Sequence, residues 1–458
     1  MAELTVPTLS GQNFSGDGLA AARNVTLGKH INVCAPRFGA DPTGKKNSTD
    51  AFVKAFAEAS DNYAKGVGGG TVYVPPGTYL ITPGVLKLPG RTTLLGSPKN
   101  SMLVADTSTM PSGGYAEPTA VVGIGSWLTP AGGEAGDKYQ MRSGIENIVI
   151  KGVYAEDWQS ATLPPKNLVG ILFNTFLTTS PMNPDAYHHL ESIEIWDTDF
   201  GVMLIGQDDQ GIKANNIHID GTGSAGFVVG RPRWHPVQVN TSGADNHFSN
   251  IDVHGTNKRG GNHAGIEVYT SNCVFVACKV WYTKRMTLDN TTVDSSDAPD
   301  RFWRLQQGAG FYIRGERNKL IGCESQETGN HGFVIAGSQT TLNGCTADAA
   351  SYYRMAGTED TANATSDMVS TAAGFAITSY AQYLAMSACQ AYNLRGVGKA
   401  NRWGFWIQDY CRNLSVQGCF STGSLESDVS QVTRWHPDKN IYIQVNSSIY
   451  SSHSMTTI

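Results

Sequence analysis

A short phrase recurs along the second half of the chain and constrains its fold more than any other feature. It pairs a β-rich stretch ending in Gly-Cys, or an equivalent, with a segment reading Gly-Phe-x-Ile. The clearest copies are NKLIGCES with HGFVIAG, TTLNGCTA with AGFAITS, and LAMSACQA with WGFWIQD. Self-similarity of this kind is typical of a solenoid, in which each repeat buries its apolar face against its neighbours.

The distances between the repeated residues divide each repeat into a constant and a variable part. There are 13 residues from Gly310 to Cys323 and again from Gly332 to Cys345. In contrast, there are 9 residues from Cys323 to Gly332 and 32 from Cys278 to Gly310. The constant part predicts two strands joined by a tight bend, and the variable part predicts loops that leave from one side of the solenoid.

The shortest full period, from Cys323 to Cys345, is 22 residues, which fits three short strands and three turns. We therefore predict an all-β fold, a right-handed parallel β-helix of about nine or more rungs, with Ile193, Ile217 and Ile251 in the cysteine position of earlier rungs. Five of the eight cysteines occupy this inward position and are expected to be core residues, so the sequence predicts no metal site and no cofactor. These five are Cys278, Cys323, Cys345, Cys389 and Cys419.

Composition excludes several classes of function. With 16% charged residues, a net charge of −5 and no long Lys/Arg run, the chain lacks the basic surface of a nucleic-acid-binding protein. No apolar run is long enough to predict a membrane span. The first thirty residues lack a Sec-type signal, so we expect a virion or otherwise extracellular protein that leaves the cell by another route, such as phage lysis.

The N-terminal third carries a more specific signal. Its segments read INVCAPRFGADPTGKKNSTDAFVKAFAEAS, GGGTVYVPPGTYLIT and LPGRTTLLGS. Over residues 31–96 this resembles the opening of pectate-lyase-like β-helix proteins, which include many phage tailspikes and depolymerases. A helix over Asp50–Ser60 is expected to cap the open end of the solenoid with Ala51, Phe52 and Phe56. The motif indicates the fold, but it does not indicate a particular reaction.

The resemblance and the repeat together predict the domain organisation. Residues 1–30 are expected to form an arm for assembly, through which virion tail or baseplate proteins would dock. Residues 31–100 would form the cap and first turns, 101–446 the β-helix body with long loops on one side, and 447–458 a C-terminal tail.

If the cysteine position faces inward, the residues one and three places later face outward, because side chains alternate along a strand. This defines two columns that cross the rungs. The first column contains His218, Asp252, Lys279, Glu324, Thr346 and Gln390, and the second contains Asp220, His254, Trp281, Gln326, Asp348 and Tyr392. We call the two columns together the polar face.

The polar face offers two alternative catalytic arrangements. Asp252 and Glu324 lie two rungs apart, about 9.6 Å, which is compatible with the acid and base of an inverting glycosidase, and Asp220 is a further acid. Alternatively, His254 beside Lys279 could supply the base for β-elimination on a uronic acid. The residues leave both alternatives open.

Substrate-binding residues are expected in the longest loop and beside it. Trp281, Tyr282, Arg285 and Trp303 give this segment an aromatic and cationic character suited to sugar recognition, and Tyr392 extends the aromatic content of the second column.

A second outward surface follows the repeated glycines. It contains Glu267 and Arg314, which could serve a site between subunits with Arg314 as a further substrate-binding residue, and the small apolar residues Val334, Ala336 and Ala376. Because tailspike-like proteins commonly form parallel homotrimers, we expect a homotrimer with its three-fold contact on this surface.

Asp208-Asp209 and the nearby Asp197 and Asp199 resemble the paired aspartates of polygalacturonase-like hydrolases. The Gly-His-Gly and Arg-Ile-Lys triplets of that family do not follow. A turn at Asp208-Asp209 is the expectation. Likewise, His331 is expected to be a turn residue.

The main hypothesis is a phage or prophage tailspike-type protein that binds and depolymerises a bacterial surface polysaccharide. One alternative is a bacterial polysaccharide lyase, glycoside hydrolase or glycan transferase outside any virion. Another is a non-catalytic spike that only binds glycan.

Overall fold

The computed structural model describes residues 30–64, 70–124, 142–153, 163–174, 187–206, 209–232, 243–283, 306–350, 372–392, 403–408, 411–422, 427–431 and 441–447. Every strand pair among these residues is parallel, and the strands form one 21-stranded and one 11-stranded sheet. The predicted right-handed parallel β-helix is confirmed. No helix in the described part of the chain is both long and apolar enough to cross a membrane.

Helix α1 (Thr49–Ala64) closes the N-terminal end of this solenoid. Its Ala51, Phe52 and Phe56 are buried, and the Phe52 ring packs edge-on against Tyr79, with ring centroids 5.7 Å apart. The helix predicted over Asp50–Ser60 is therefore present and extends further at both ends. A short 3-10 helix spans Thr107–Thr109.

Each rung uses two strands, or two halves of one strand, in the larger sheet and one strand in the smaller sheet. The larger sheet contains β1 (His30–Asn32), β2 (Thr43–Asn47), β3 (Thr71–Tyr73), β4 (Gly77–Ile81), β6 (Thr93–Leu95), β7 (Ser101–Ala105), β9 (Gly144–Glu146), β10 (Val149–Lys151), β12 (His189–Trp196), β14 (Lys213–Asp220), β16 (His247–His254), β18 (Val274–Val276), β19 (Lys279–Trp281), β21 (Lys319–Ile321), β22 (Glu324–Gln326), β24 (Thr341–Asn343), β25 (Thr346–Asp348), β27 (Gln382–Ser387), β28 (Gln390–Tyr392), β30 (Arg412–Thr422) and β32 (Ile441–Ser447). The smaller sheet contains β5 (Lys87–Leu88), β8 (Gly114–Ile124), β11 (Lys166–Phe173), β13 (Phe200–Leu204), β15 (Phe227–Val229), β17 (Ile266–Val268), β20 (Phe311–Ile313), β23 (Phe333–Ile335), β26 (Ala373–Ile377), β29 (Trp403–Ile407) and β31 (Ser427–Gln431).

A left-handed residue bends the chain just before each inward cysteine or isoleucine. Asn216 and Asn250 have φ values of 56° and 52°, and Gly322, Gly344 and Gly418 have values of 60°, 62° and 58°. Glycine and asparagine tolerate this conformation better than other residues. The Gly-Cys phrase is therefore a bend followed by a core residue.

The Gly-Phe phrase packs successive rungs of the smaller sheet. Phe311, Phe333, Phe375 and Phe405 stack with ring centroids 4.7, 4.9 and 5.0 Å apart and interplanar angles of 7°. The preceding glycines have no room for a side chain, since a Cβ at Gly332 would lie 2.7 Å from the carbonyl oxygen of the next rung.

The cysteines confirm the inward position. Cys278, Cys323, Cys345, Cys389 and Cys419 are fully buried in one continuous core, and all eight cysteines are free thiols. The hydrogen bond with the thiol of the preceding rung, and then burial, raise the pKa of Cys345 and Cys389 to about 12.

The long connections do not all lie at one corner of the rung. β19 ends at Trp281 and β20 begins at Phe311, at the corner where the polar face ends. Three earlier rungs instead have long connections from the smaller to the larger sheet, between β8 and β9, β11 and β12, and β15 and β16. The prediction of long loops on one side therefore describes the C-terminal rungs only.

The apolar residues predicted to form the three-fold contact are not exposed. Val334, Ala336 and Ala376 belong to an apolar cluster on the outer side of the smaller sheet and have no exposed area in the single chain. Since these side chains are already covered, they cannot form the contact between subunits.

Candidate functional site

The strand register confirms both columns of the polar face. His218, Asp252, Lys279, Glu324, Thr346 and Gln390 pair in succession, as do Asp220, His254, Trp281, Gln326, Asp348 and Tyr392. Residues that are far apart in the sequence thus lie one rung apart in the structure. The register extends the columns to Glu194 and Trp196, which pair with His218 and Asp220.

Asp220 and His254 form a pair at the ends of β14 and β16. The Oδ2 atom of Asp220 is 3.2 Å from Nδ1 of His254, and the two side chains are 6% and 10% exposed. A carboxylate at Nδ1 favours the tautomer with its proton there, so that Nε2 carries the lone pair. Nε2 is itself buried, so a substrate reaches this nitrogen only if the side chains over it move. Although both residues point outward from the strands, they are more buried than a solvent-facing column predicts.

A second acid-histidine pair lies in the first column. Asp252 lies 3.2 Å from His218 Nδ1 and accepts a 2.9 Å hydrogen bond from the indole nitrogen of Trp281. The hydrogen bond with Asp252 raises the pKa of His218 despite the opposing effect of burial. Burial alone would raise the pKa of Asp252, but the hydrogen bonds of His218 and Trp281 and the positive charge of His218 lower it overall. Asp252 is therefore suited to remain ionised.

Lys279 lies between the two carboxylates predicted as a glycosidase pair. Its Nζ is 3.3 Å from Glu324 and 5.0 Å from the centre of the Trp281 ring. Asp252 and Glu324 are two rungs apart as predicted. However, each has a partner that stabilises the negative charge.

Aromatic rings cover the Asp220–His254 pair. Trp281 and Tyr282 lie with ring centroids 4.4 and 5.3 Å from His254 and 5.5 Å from each other. Tyr282 has a left-handed φ of 55° at the bend that ends this strand of the rung. The same conformation occurs at this position in other rungs, at Asp197, Gly221, Gly255, Glu327 and Ala349.

Sequence reasoning missed a buried charge cluster at the edge of the polar face. The side chain of Lys258 is 1% exposed, and its Nζ is 3.7 Å from Asp197. A Cβ placed on Gly221 would lie 3.0 Å from this Nζ, so the ammonium lies against the backbone next to Asp220. Arg259 donates a 2.8 Å hydrogen bond to the neighbouring Asp199. The signal was the GTNKRG segment after β16, which the column analysis did not include.

The other predicted substrate-binding residues lie in different places. Tyr392 lies in the second column, three rungs beyond Trp281. Arg314 follows a strand of the smaller sheet, where it contacts the Tyr380 ring at 5.3 Å, so it does not join the polar face. Arg285 and Trp303 lie outside the described residues.

Glu267 has a buried environment on the outer side of the smaller sheet. It accepts hydrogen bonds from the Ala264 nitrogen and the Tyr269 hydroxyl and lies 3.0 Å from His263. The surface is thus not one of small apolar residues alone. Glu267 and Arg314 remain untested as residues of a site between subunits.

Two further motifs are structural. Asp209 accepts a 2.7 Å hydrogen bond from the Gly206 nitrogen and closes a turn, while Asp208 lies outside the described residues. His331 is fully buried and accepts a 3.0 Å hydrogen bond from the Ala373 nitrogen. Within the described ranges, no group of three His, Cys, Asp or Glu side chains is placed to hold a metal ion.

The fold and the site define a parallel β-helix protein with an acid, histidine and aromatic face beside its loop corner. The family described as "Rhamnogalacturonase A/epimerase, pectate lyase-like" matches residues 30–283, and the chain belongs to this family. No curated protein sequence matches the chain.

Solved structures show the same fold at low sequence identity. The A-module of the mannuronan C-5 epimerase AlgE4 from Azotobacter vinelandii is 13% identical, with a TM-score of 0.51, and the match covers 93% of this chain and 100% of that chain. Full-length tailspike protein 2 of an Escherichia coli O157:H7 bacteriophage is 12% identical, with a TM-score of 0.52, and the match covers 86% of this chain and 42% of that chain.

Proposed function

We propose that this protein is a tailspike-type β-helix that binds a bacterial surface polysaccharide and cleaves it by β-elimination at a uronic acid. The observation that carries the proposal is the Asp220–His254 pair beneath Trp281 and Tyr282, with Lys279 in the adjacent column. The names of the family and of the similar structures, which include an epimerase of a polyuronate and a tailspike, support a polysaccharide substrate.

The proposed reaction gives each group a role. Once a substrate displaces the rings that bury His254, its Nε2 accepts the proton from C5 of the uronate, and the electron pair forms the C4–C5 double bond as the bond from C4 to the glycosidic oxygen breaks. Lys279 lies where an ammonium could offset the charge of the uronate carboxylate. His218, whose raised pKa favours its protonated form, is the candidate proton donor to the departing oxygen.

Hydrolysis by Asp252 and Glu324 is the weaker alternative. A glycosidase needs one carboxyl group that holds a proton at working pH. The pKa of Asp252 is lowered, so Asp252 is unsuited to be this acid. Glu324 has the Lys279 ammonium 3.3 Å away.

The test is incubation with bacterial capsules and with polygalacturonate, polymannuronate and hyaluronan. We expect new reducing ends together with the ultraviolet absorbance of an unsaturated uronate, and loss of both in His254→Gln. Reducing ends without that absorbance would favour hydrolysis by the carboxylates. Binding without either product would make the protein a recognition spike.

The virion role is a further part of the proposal. A trimeric tail protein that docks through residues 1–30 would place the polar face outside the host cell. A bacterial enzyme unconnected with a virion would use the same face, so the two differ in assembly and not in chemistry.

A further inference from the structure

A second row of polar side chains lies on the larger sheet, on the other side of the bend that leads to the polar face. Glu146, Glu191, Asn215 and Ser249 pair in succession across four rungs. We call these four residues the polar ladder. Asn215 donates hydrogen bonds of 3.0 and 3.2 Å to the carboxylate oxygens of Glu191 and accepts one of 2.8 Å from the Ser249 hydroxyl. All four residues are partly exposed, so a ligand can reach the ladder.

Two rings beside the polar ladder lie over the backbone of glycines in neighbouring rungs. The His189 ring lies over Gly144, where a Cβ would be 2.0 Å from its Cε1 atom. The Nε2 atom of this ring is 2.7 Å from the Glu146 carboxylate. The Tyr187 ring lies over Gly211, where a Cβ would be 2.9 Å from its Cδ1 atom. The two glycines thus give each ring a fixed place next to the ladder.

Tyr187 provides an exposed aromatic surface at this place. The residue is 59% exposed although its ring contacts Gly211 on one side. An aromatic ring held in this way suits the apolar face of a sugar ring. Glu191 follows four residues later in the same rung, and its carboxylate accepts hydrogen bonds from hydroxyl groups. An aromatic surface beside several hydrogen-bonding side chains is the combination that a sugar requires.

The charges of this surface favour a neutral sugar over an acidic one. Glu146 and Glu191 place two carboxylates in adjacent rungs. Arg142 and Lys213, both exposed, lie at the near ends of the neighbouring rungs and give the surface no excess of positive charge. An acidic sugar would meet the two carboxylates, whereas the hydroxyl groups of a neutral sugar can donate to them.

We propose that Tyr187, Glu146 and Glu191 form a binding site for a neutral sugar of a polysaccharide, separate from the polar face. Tyr187 contacts the sugar ring, and the two carboxylates accept hydrogen bonds from its hydroxyl groups. His189 and Asn215 hold the carboxylates in position. The inference goes beyond the proposed reaction and does not depend on it, because neither His254 nor Lys279 takes part.

The test measures binding of dextran, mannan and galactan by the full chain and its variants with isothermal titration calorimetry. We expect the wild-type protein to bind at least one of these neutral glycans, and Tyr187→Ala to weaken that binding about tenfold. Glu191→Gln, which removes the charge of the acceptor, should weaken it about fivefold. Tyr187→Phe keeps the ring and should stay within about twofold of the wild type.

Tyr383→Ala is a closely matched control. Tyr383 occupies the same left-handed bend position in a later rung, with a φ of 55° against 63° for Tyr187, and is 58% exposed. Four residues after Tyr383, however, the rung has Ser387 where the rung of Tyr187 has Glu191. We therefore expect Tyr383→Ala to bind neutral glycans as the wild type does.

Two results would overturn the proposed site. One is that the wild-type protein binds none of the three neutral glycans, and the other is that Tyr187→Ala and Tyr383→Ala lose the same affinity. Glu316→Gln, on another surface, controls for the loss of an exposed carboxylate. The unsaturated-uronate assay uses acidic glycans, so failure of the proposed reaction and failure of this site are distinguishable.

Discussion

At the residue scale, the site depends on which side chain holds a proton. Asp220 lies 3.2 Å from His254, with both side chains almost buried. Asp220→Asn keeps the shape of the side chain but removes the charge that orients and stabilises the protonated imidazole. We therefore expect turnover to fall by about 10²- to 10⁴-fold.

The measurement is the rate of unsaturated-uronate formation at saturating glycan. Thermal unfolding of Asp220→Asn should show that the fold is retained, and Glu316→Gln, an exposed substitution on another surface, should keep the wild-type rate. A folded Asp220→Asn variant with full turnover would remove the pair from the mechanism.

The His218–Asp252 pair predicts a pH dependence of stability. The folded-state pKa of His218 is raised above its ordinary 6.5, so its contribution is present below that value and is lost as pH rises through the folded pKa. The pKa of Asp252 is lowered below its ordinary 3.8, so its contribution is present above that value and is lost as pH falls through the folded pKa. The pair stabilises most between the two ordinary values.

We expect His218→Gln to lower the melting temperature most at about pH 5 to 6, and less above about pH 8. Thermal unfolding of the variant and the wild type across this range measures the difference. His247→Gln, an exposed substitution earlier on the same strand, is the control. A constant difference at every pH would show that the charges of the pair contribute nothing.

At the element scale, the repeated glycines have two different functions. A Cβ at Gly332 would meet the Gly374 carbonyl oxygen at 2.7 Å and the Ala347 Cβ at 2.8 Å, whereas a Cβ at Gly344 would meet no atom within 4 Å. Gly344 has instead a left-handed φ of 62°. We expect Gly344→Ala to cost about 1 kcal/mol, from backbone strain alone.

Gly332→Ala forces neighbouring rungs apart and should cost about 3 kcal/mol. Denaturant unfolding of the two variants measures the difference between a packing glycine and a bend glycine. Equal losses of unfolding free energy would contradict this division of roles.

The same elements show how much the sequence can predict. The cysteine and glycine positions fix which strand residues point outward, and this was sufficient to align Asp252 with Lys279 and His254 with Trp281. It was not sufficient to predict the contact between Lys258 and Asp197, because this contact depends on how the turn after β16 folds back over earlier rungs. Nor could alternation along a strand predict that Val334 and Ala376 are covered by the chain itself.

At the scale of the whole molecule, the solenoid is a single core closed at its N-terminal end. The buried face of α1 belongs to the same apolar cluster as Ile31, Cys323 and Cys419. Ile31 and the buried face of α1 all follow residue 30. We therefore expect the predicted assembly arm, residues 1–30, to be separable from the predicted glycan-binding body.

Deletion of residues 1–29 provides the test at this scale. We expect the truncated protein to keep its melting temperature, its glycan affinity and its cleavage rate, because the capping helix and the polar face remain. If residues 1–30 dock to a tail or baseplate, the same deletion should abolish incorporation into particles when it is introduced into the phage genome. Light scattering on both proteins would show whether the proposed trimer forms through the body, in which case the deletion leaves the mass of the assembly at three chains. A truncated protein that is monomeric and inactive would instead assign both trimer formation and the completion of the site to the first thirty residues.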